Sequence, residues 1–158
     1  MKILAIDPGD EYSAFVIMDE KFKPILFDKI LNQELISRLG QTQFDAIYIE
    51  MIASYGMPVG AEVFETCVWI GRFMERLHAP KIERINRKEV SLHHCHSAKA
   101  KDSNVIRALV DRFAYGQSNF GKGTKNDPGW FHGFSKDVWQ AYALGVCAVD
   151  RMKASGKV

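Results

Sequence analysis

Three carboxylates stand at the ends of segments that a folded chain would bury. Asp7 closes the apolar run Ile3-Leu4-Ala5-Ile6, and Pro8-Gly9 follows at once and breaks the strand. Glu50 closes a second apolar run, Ala46-Ile47-Tyr48-Ile49. Asp137 lies in the first turn of the apolar segment Lys136 to Met152. Each has an ordinary reading when taken alone: Asp7 opens a turn, and Asp137 complements the positive end of a helix. Gathered in one place they would repel one another and call for cations. Oxygen donors without a thiolate suit Mg²⁺ or Mn²⁺. Two such ions about 3.5–4 Å apart can clamp a phosphodiester for in-line attack by water.

Whether the acids meet depends on the elements that carry them. Ile3 to Asp7 and Tyr12 to Met18 read as strands, with a polar turn at Asp19-Glu20-Lys21. Phe22 to Ile30 is a third strand, and Pro24 makes it an edge strand or one that begins after the proline. Asn32 is placed to cap a helix from Gln33 to Leu39 that Gly40 stops. Phe44 to Glu50 is the next strand. Because a helix separates it from the meander, a crossover sets it parallel to the first strand and puts Asp7 and Glu50 at the same sheet edge. A loop, Met51 to Gly60, leads to a long helix from Ala61 to Leu77, then to a short strand from Lys81 to Asn86. Arg87 to Cys95 makes a helical turn or two, Asp102 to Ala114 is a helix, and Lys136 to Met152 is the last one, with Ser135 as its N-cap. The order is that of an α/β domain with a mixed five-stranded sheet: three antiparallel meander strands, then parallel strands, flanked by helices. That is the ribonuclease H-like arrangement, in which the last helix packs beside the first strand and brings Asp137 to the other two acids. Other α/β folds share the order of elements.

Other segments carry weaker signals. Tyr115 to Ser135 is too long for an idle connection in a compact domain. It interleaves glycines with Phe120, Lys122, Lys125, Trp130, Phe131, His132 and Phe134, a mixture suited to phosphates and unstacked bases, or to a surface loop whose aromatics tuck into the core. Gly121 and Gly123 lack the strand-before-helix setting of a nucleotide site, so no nucleotide cofactor is expected. Arg84, Arg87, Lys88, Lys99 and Lys101 surround His93-His94-Cys95-His96 and can follow DNA phosphates or form a solvated face. Consecutive helical positions point apart, which argues against a zinc site in that run. The helix from Ala61 to Leu77 is apolar at Val63, Cys67, Ile70, Met74 and Leu77 and again at Phe64, Val68 and Phe73. So wide a stripe is either buried in the monomer or meets a second subunit.

The 158 residues make one domain, 1–158, of ordinary soluble composition: 47% hydrophobic, 25% charged, net charge +2. No apolar run approaches the about 20 residues of a membrane span, and the N-terminus has no signal-peptide pattern. With three scattered cysteines and no disulfide framework, a reducing cytoplasmic setting is expected.

Several stretches together resemble the RuvC-like Holliday-junction resolvases, above all those of bacteriophages. They are Asp7-Pro8-Gly9 after the first strand; Ile49-Glu50 closing the fourth; and Ala98-Lys99-Ala100-Lys101-Asp102-Ser103-Asn104 leading into Ile106 to Phe113. Gly123-Thr124-Lys125-Asn126-Asp127-Pro128-Gly129 and Lys136 to Leu144 complete them. The resemblance implies a homodimer, here joined through the Ala61–Leu77 helix, that nicks four-way DNA junctions with Mg²⁺ and leaves 5′-phosphates and 3′-hydroxyls. It implies two metal ions on Asp7, Glu50 and Asp137, with Asp7 bridging, Mn²⁺ as a substitute, and action in the host cytoplasm of a phage. DNA contacts are expected from Tyr55, Arg84, Arg87, Lys88, Lys99, Lys101, Lys122, Lys125, His132 and Lys136. The chain departs from the cellular family at Gln140, where a second acid often stands one turn beyond Asp137; an amide there can hold a water but adds no charge. Ala53 is small where the family often has a junction-wedging aromatic, which leaves Tyr55 as the nearest candidate. His132 is open between proton shuttle and loop residue. The rival functions are a flap or RNA–DNA hybrid nuclease of the same fold, and a DNA-binding protein without catalysis.

Overall fold

The computed structural model describes residues 1–158. Five strands, β1 (Ile3–Asp7), β2 (Tyr12–Met18), β3 (Pro24–Leu31), β4 (Ala46–Met51) and β5 (Ile82–Asn86), form one sheet in the order β3-β2-β1-β4-β5. β1, β2 and β3 are the antiparallel meander, and β4 and β5 run parallel to β1. The third strand begins at Pro24, at the sheet edge, where a missing N–H donor costs nothing. Alternation along the strands divides the interior into two cores. Leu4, Ile6, Phe15, Ile17, Ile47 and Ile49 face α1 (Asn32–Leu39) and α2 (Ala61–Arg76). Ile3, Ala5, Ala14, Val16, Ala46 and Tyr48 face α3 (Arg87–Cys95), α4 (Asp102–Phe113) and α5 (Lys136–Ala154).

α5 is buried almost all round because it lies flat on the middle of the sheet. Gly145 permits the approach: a side chain there would run into Met18 and come within 3.3 Å of the Ala5 methyl. The helix therefore crosses β1 and β2 at backbone distance, and its N-terminal turn is carried to the end of β1.

Three expectations change in detail. Leu31, not Asn32, holds the cap position of α1, and Asn32 is its first residue. Its side chain turns inward instead, because a buried hydroxyl and a half-buried carbonyl need it: Ser13 Oγ donates to Asn32 Oδ1 (2.6 Å), and Asn32 Nδ2 donates to the Gly9 carbonyl (2.9 Å). Ser135 precedes α5 as expected but makes no side-chain capping bond. On α2 the inward face is Thr66, Ile70 and Phe73, which leaves Val63 and Cys67 half-buried and Phe64 and Val68 exposed. Trp69 is also half-buried, its ring under the Arg72 guanidinium at 4.1 Å.

The histidine run is structural. His93 Nε2 meets Asp150 Oδ2 at 2.6 Å, His94 Nε2 meets the Ala143 carbonyl at 2.8 Å, and His96 is the left-handed residue that ends α3. The first two pin α3 to α5. No helix is long and apolar enough to cross a membrane.

Candidate active site

The site is built where β1 and β4 end. Their parallel register pairs Ile6 with Ile49, so Asp7 and Glu50 leave the sheet side by side. Alternation puts both on the face that α5 covers, in line with Ala5 and Tyr48. The turn after Asp7 is held firmly. A side chain on Gly9 would collide with the Tyr12 carbonyl, and Gly9 N–H donates to Ser13 Oγ (3.1 Å) while its carbonyl takes the Asn32 bond. The Ser13–Asn32 pair is a support that sequence reasoning missed. Its signal is two polar residues, at the start of β2 and just beyond β3, that the fold buries almost completely.

A cavity of about 740 Å³ opens here. Asp7, Glu50 and Asp137 all line it, with Lys29, Arg87, Lys88 and Tyr55 among the residues around them. The two strand acids are the strained pair. Burial first, then the Glu50 carboxyl within hydrogen-bonding range, push the Asp7 carboxyl far above the usual carboxylate range; the Arg87 charge opposes this. Glu50 is 7% exposed and accepts from Arg87 Nε at 2.9 Å. That contact follows from topology. β5 ends beside β4, with Asn86 paired to Met51, and α3 begins on the next residue, so Arg87 starts its helix next to Glu50. Asp102, at the head of α4, lies 3.8 Å from the same guanidinium.

Asp137 stands across the cavity, half-exposed. Its Oδ2 is 2.6 Å from Lys29 Nζ, so its charge is directed at β3. The three acids thus share one cavity without surrounding a single point, and no group of three acidic, histidine or cysteine side chains is close enough to enclose an ion. Lys29 was absent from the sequence-based set. The clue to it is register: Asp7 pairs with Ala14, and Ala14 with Lys29, so one row crosses three strands on the α5 face.

The remaining candidates fall into groups. Tyr55 and Lys88 meet at the rim, with Nζ 3.4 Å from the ring centre. Lys99 and Lys101 are exposed on the connection before α4, where Ala98 and Ala100 line the cavity. Lys122, Lys125, His132 and Lys136 lie on or just after the glycine-rich segment, outside the cavity wall; His132 Nδ1 is 3.3 Å from the Lys122 carbonyl. Arg84 is not with the others: it pairs with Ile49 on the α1–α2 side of the sheet, away from the acids. Gln140 is buried, lines no part of the cavity, and has its Nε2 unpaired. Trp130, Phe131 and Phe134 go to the core: Phe131 and Phe134 are fully buried, and Trp130 stacks on Phe113 (5.7 Å between centroids) and donates to Tyr142 Oη (3.2 Å). Of the loop aromatics, Tyr115 and Phe120 stay largely exposed.

The donor set fits hard divalent cations. Two adjacent, largely buried carboxylates raise each other's energy when both ionise, and a bound cation removes that cost.

No protein-family model matches the sequence, and neither does any curated protein sequence. Solved structures do match over nearly the full length. Thermus thermophilus RuvC superposes with a TM-score of 0.61 at 13% identity, covering 99% of this chain and 98% of that one. T. thermophilus RuvC in complex with Holliday junction substrate gives 0.62 at 10% identity, over 98% and 97%. The Fowlpox virus resolvase in complex with substrate Holliday junction DNA gives 0.57 at 13% identity, over 96% and 99%. The chain therefore has the ribonuclease H-like fold, in the form taken by RuvC and the poxvirus resolvase.

Proposed function

We propose that this protein is a metal-dependent endonuclease that nicks four-way DNA junctions, leaving 5′-phosphate and 3′-hydroxyl ends. The observation that carries the reading is the pair of largely buried carboxylates, Asp7 and Glu50, at the ends of adjacent parallel strands in a cavity that Asp137 also lines. The fold shared with two resolvases supports it.

In this reading Asp7, Glu50 and Asp137 would hold two Mg²⁺ ions, for which Mn²⁺ would substitute. Bound there, the cations supply Lewis-acid activation of water and neutralise charge on the leaving 3′-oxygen. The chain does the rest. The Pro8-Gly9 turn fixes Asp7 at the open edge. Arg87, at the start of α3, directs Glu50. Lys88 and Tyr55 line the cavity, Lys99 and Lys101 stand beside Ala98 and Ala100 at its rim, and together they would give a phosphate backbone a path that Lys122, Lys125, His132 and Lys136 extend beyond Asp137. Arg84, on the other face, has no part in this path.

A cleavage panel of four-way junction, flap, plain duplex and RNA–DNA hybrid in Mg²⁺ tests the proposal. Junction cutting at a rate at least about tenfold above the others is expected. A preference for flap or hybrid would assign the site to the other nucleases of this fold. No cutting of any substrate would leave a junction-binding protein.

The partner subunit is a second copy of this chain, seated on α2. Phe64 is 64% exposed and Val68 55%, and Met57, just before the helix, is 70% exposed. Light scattering at micromolar concentration is expected to give the mass of a dimer; a monomer would remove α2 from the proposal.

A further inference from the structure

The geometry points to Lys29 as a substrate-contacting cation held on Asp137, one that a divalent ion displaces and that then meets the scissile phosphate. The inference rests on the nuclease reading above and adds a residue to it.

Three observations converge on Lys29. The first is register. Lys29 pairs with Ala14, which pairs with Asp7, so the three lie in one row across the sheet on the face of the acids. Ala14 is a methyl group, low enough for the lysine stem to pass over β2 toward the site. The second is the contact itself. Nζ lies 2.6 Å from Asp137 Oδ2, between residues 108 apart in sequence, and both side chains line the cavity. The third is exposure. The Lys29 and Asp137 side chains are 42% and 43% exposed, so the ion pair is open to water and cheap to break.

Lys29 contributes little stability from that position, since a pair this exposed is worth little. What it does is compete. A carboxylate oxygen engaged with an ammonium at hydrogen-bond distance cannot also coordinate a divalent ion at full strength, so metal binding must release Lys29. The freed ammonium stays anchored on β3, in the row of Asp7. A phosphate drawn to the acid pair by metal would come within its reach, where a point charge on a flexible stem suits a phosphoryl oxygen. A surface pair that only ties β3 to α5 would do neither.

The test uses wild type, Lys29→Met and Lys29→Arg of the full chain. Calorimetric Mn²⁺ titration without DNA is expected to show about two- to fivefold tighter binding by K29M, the range set by loss of one exposed competing ion pair. Junction cleavage at saturating Mn²⁺ is expected to fall about 10- to 100-fold in K29M, mostly in kcat, and to recover in part in K29R. If wild type binds Mn²⁺ and cuts junctions while K29M matches it in both assays, this inference is overturned and the nuclease reading stands. Weaker Mn²⁺ binding by K29M would also overturn it, because it would make Lys29 a support for Asp137 and not a competitor. If wild type neither binds Mn²⁺ nor cuts, the nuclease reading fails and takes the inference with it. Equal melting temperatures of the variants in EDTA separate these effects from loss of fold.

Discussion

Replacing Asp7 with Asn is expected to abolish junction cleavage and, in EDTA, to make the protein more stable. The first effect, a loss of about 10²–10³-fold or more, follows from removing a carboxylate that would hold the proposed metals. The second follows from where Asp7 sits. Burial first, then Glu50, hold its folded-state pKa well above the ordinary carboxylate value of about 3.9 at which it titrates in the unfolded chain. Between those limits the folded state keeps a proton that the unfolded state has lost, so stability falls as pH rises through the window. Asn has no proton to lose. The advantage of Asp7→Asn should therefore be small near the ordinary carboxylate range and grow by about 0.5–2 kcal/mol as pH rises above it. For a chain of this length each kcal/mol moves the melting temperature by about 2–4 °C. Thermal unfolding of both proteins in EDTA at several pH values measures it. Adding Mn²⁺ should reverse the order, since only wild type gains fully from binding. A melting difference that does not change with pH would show that Asp7 is an ordinary surface acid, and would weaken the case for a metal there.

That Asp7 and Glu50 are neighbours is legible in the sequence, because two apolar runs that end in acids and are joined through a helix have few ways to pack. Their cationic partners are not. Lys29 reaches the site through strand register, and the β2–β3 ladder shifts between Ile17 and Met18, so counting residues from the turn does not give the pairing. The sequence marks the end of β5 at Asn86 and the start of α3 at Arg87, but not the register in which Asn86 pairs with Met51, and it is that register that brings Arg87 to Glu50. The inward turn of Asn32 is hidden for another reason. An Asn before a helix is a good cap, and only the buried Ser13 hydroxyl and the half-buried Gly9 carbonyl give it something better to do. On α2 the apolar positions are too many to choose a face, and the structure selects one containing Thr66, whose hydroxyl satisfies itself on the Glu62 carbonyl at 2.8 Å. The glycine-rich segment was evenly balanced between a nucleic-acid surface and an anchored loop. The structure divides it: its inward aromatics are core, and its lysines remain outside.

Phe131→Ala is expected to cost about 3–5 kcal/mol, as large truncations in tight cores do. Phe131 is fully buried, with ring centres 4.6 Å from Trp139, 5.1 Å from Phe134 and 5.4 Å from Tyr142. Its N–H donates to the Gly121 carbonyl at 2.9 Å, and a side chain on Gly121 would press on the Phe131 ring at 2.9 Å, so the loop is folded around this residue. Phe134 continues the cluster to Phe27 on β3, at 4.6 Å. The loop therefore joins the edge of the sheet to the first turns of α5, and Asp137 is the second residue of that helix. Emptying the Phe131 site should let the helix start shift, and a shift of about 1 Å at a proposed metal ligand such as Asp137 can cost 10²-fold in rate. Urea unfolding will give the stability loss, and cleavage measured well below the variant's melting point will give the positioning effect. Phe131→Leu, which leaves less of a cavity, should lose about 1–2 kcal/mol and keep most of the activity. If Phe131→Ala loses stability but cuts junctions at the wild-type kcat, the aromatic cluster holds the fold alone, and Asp137 is positioned by the sheet without it.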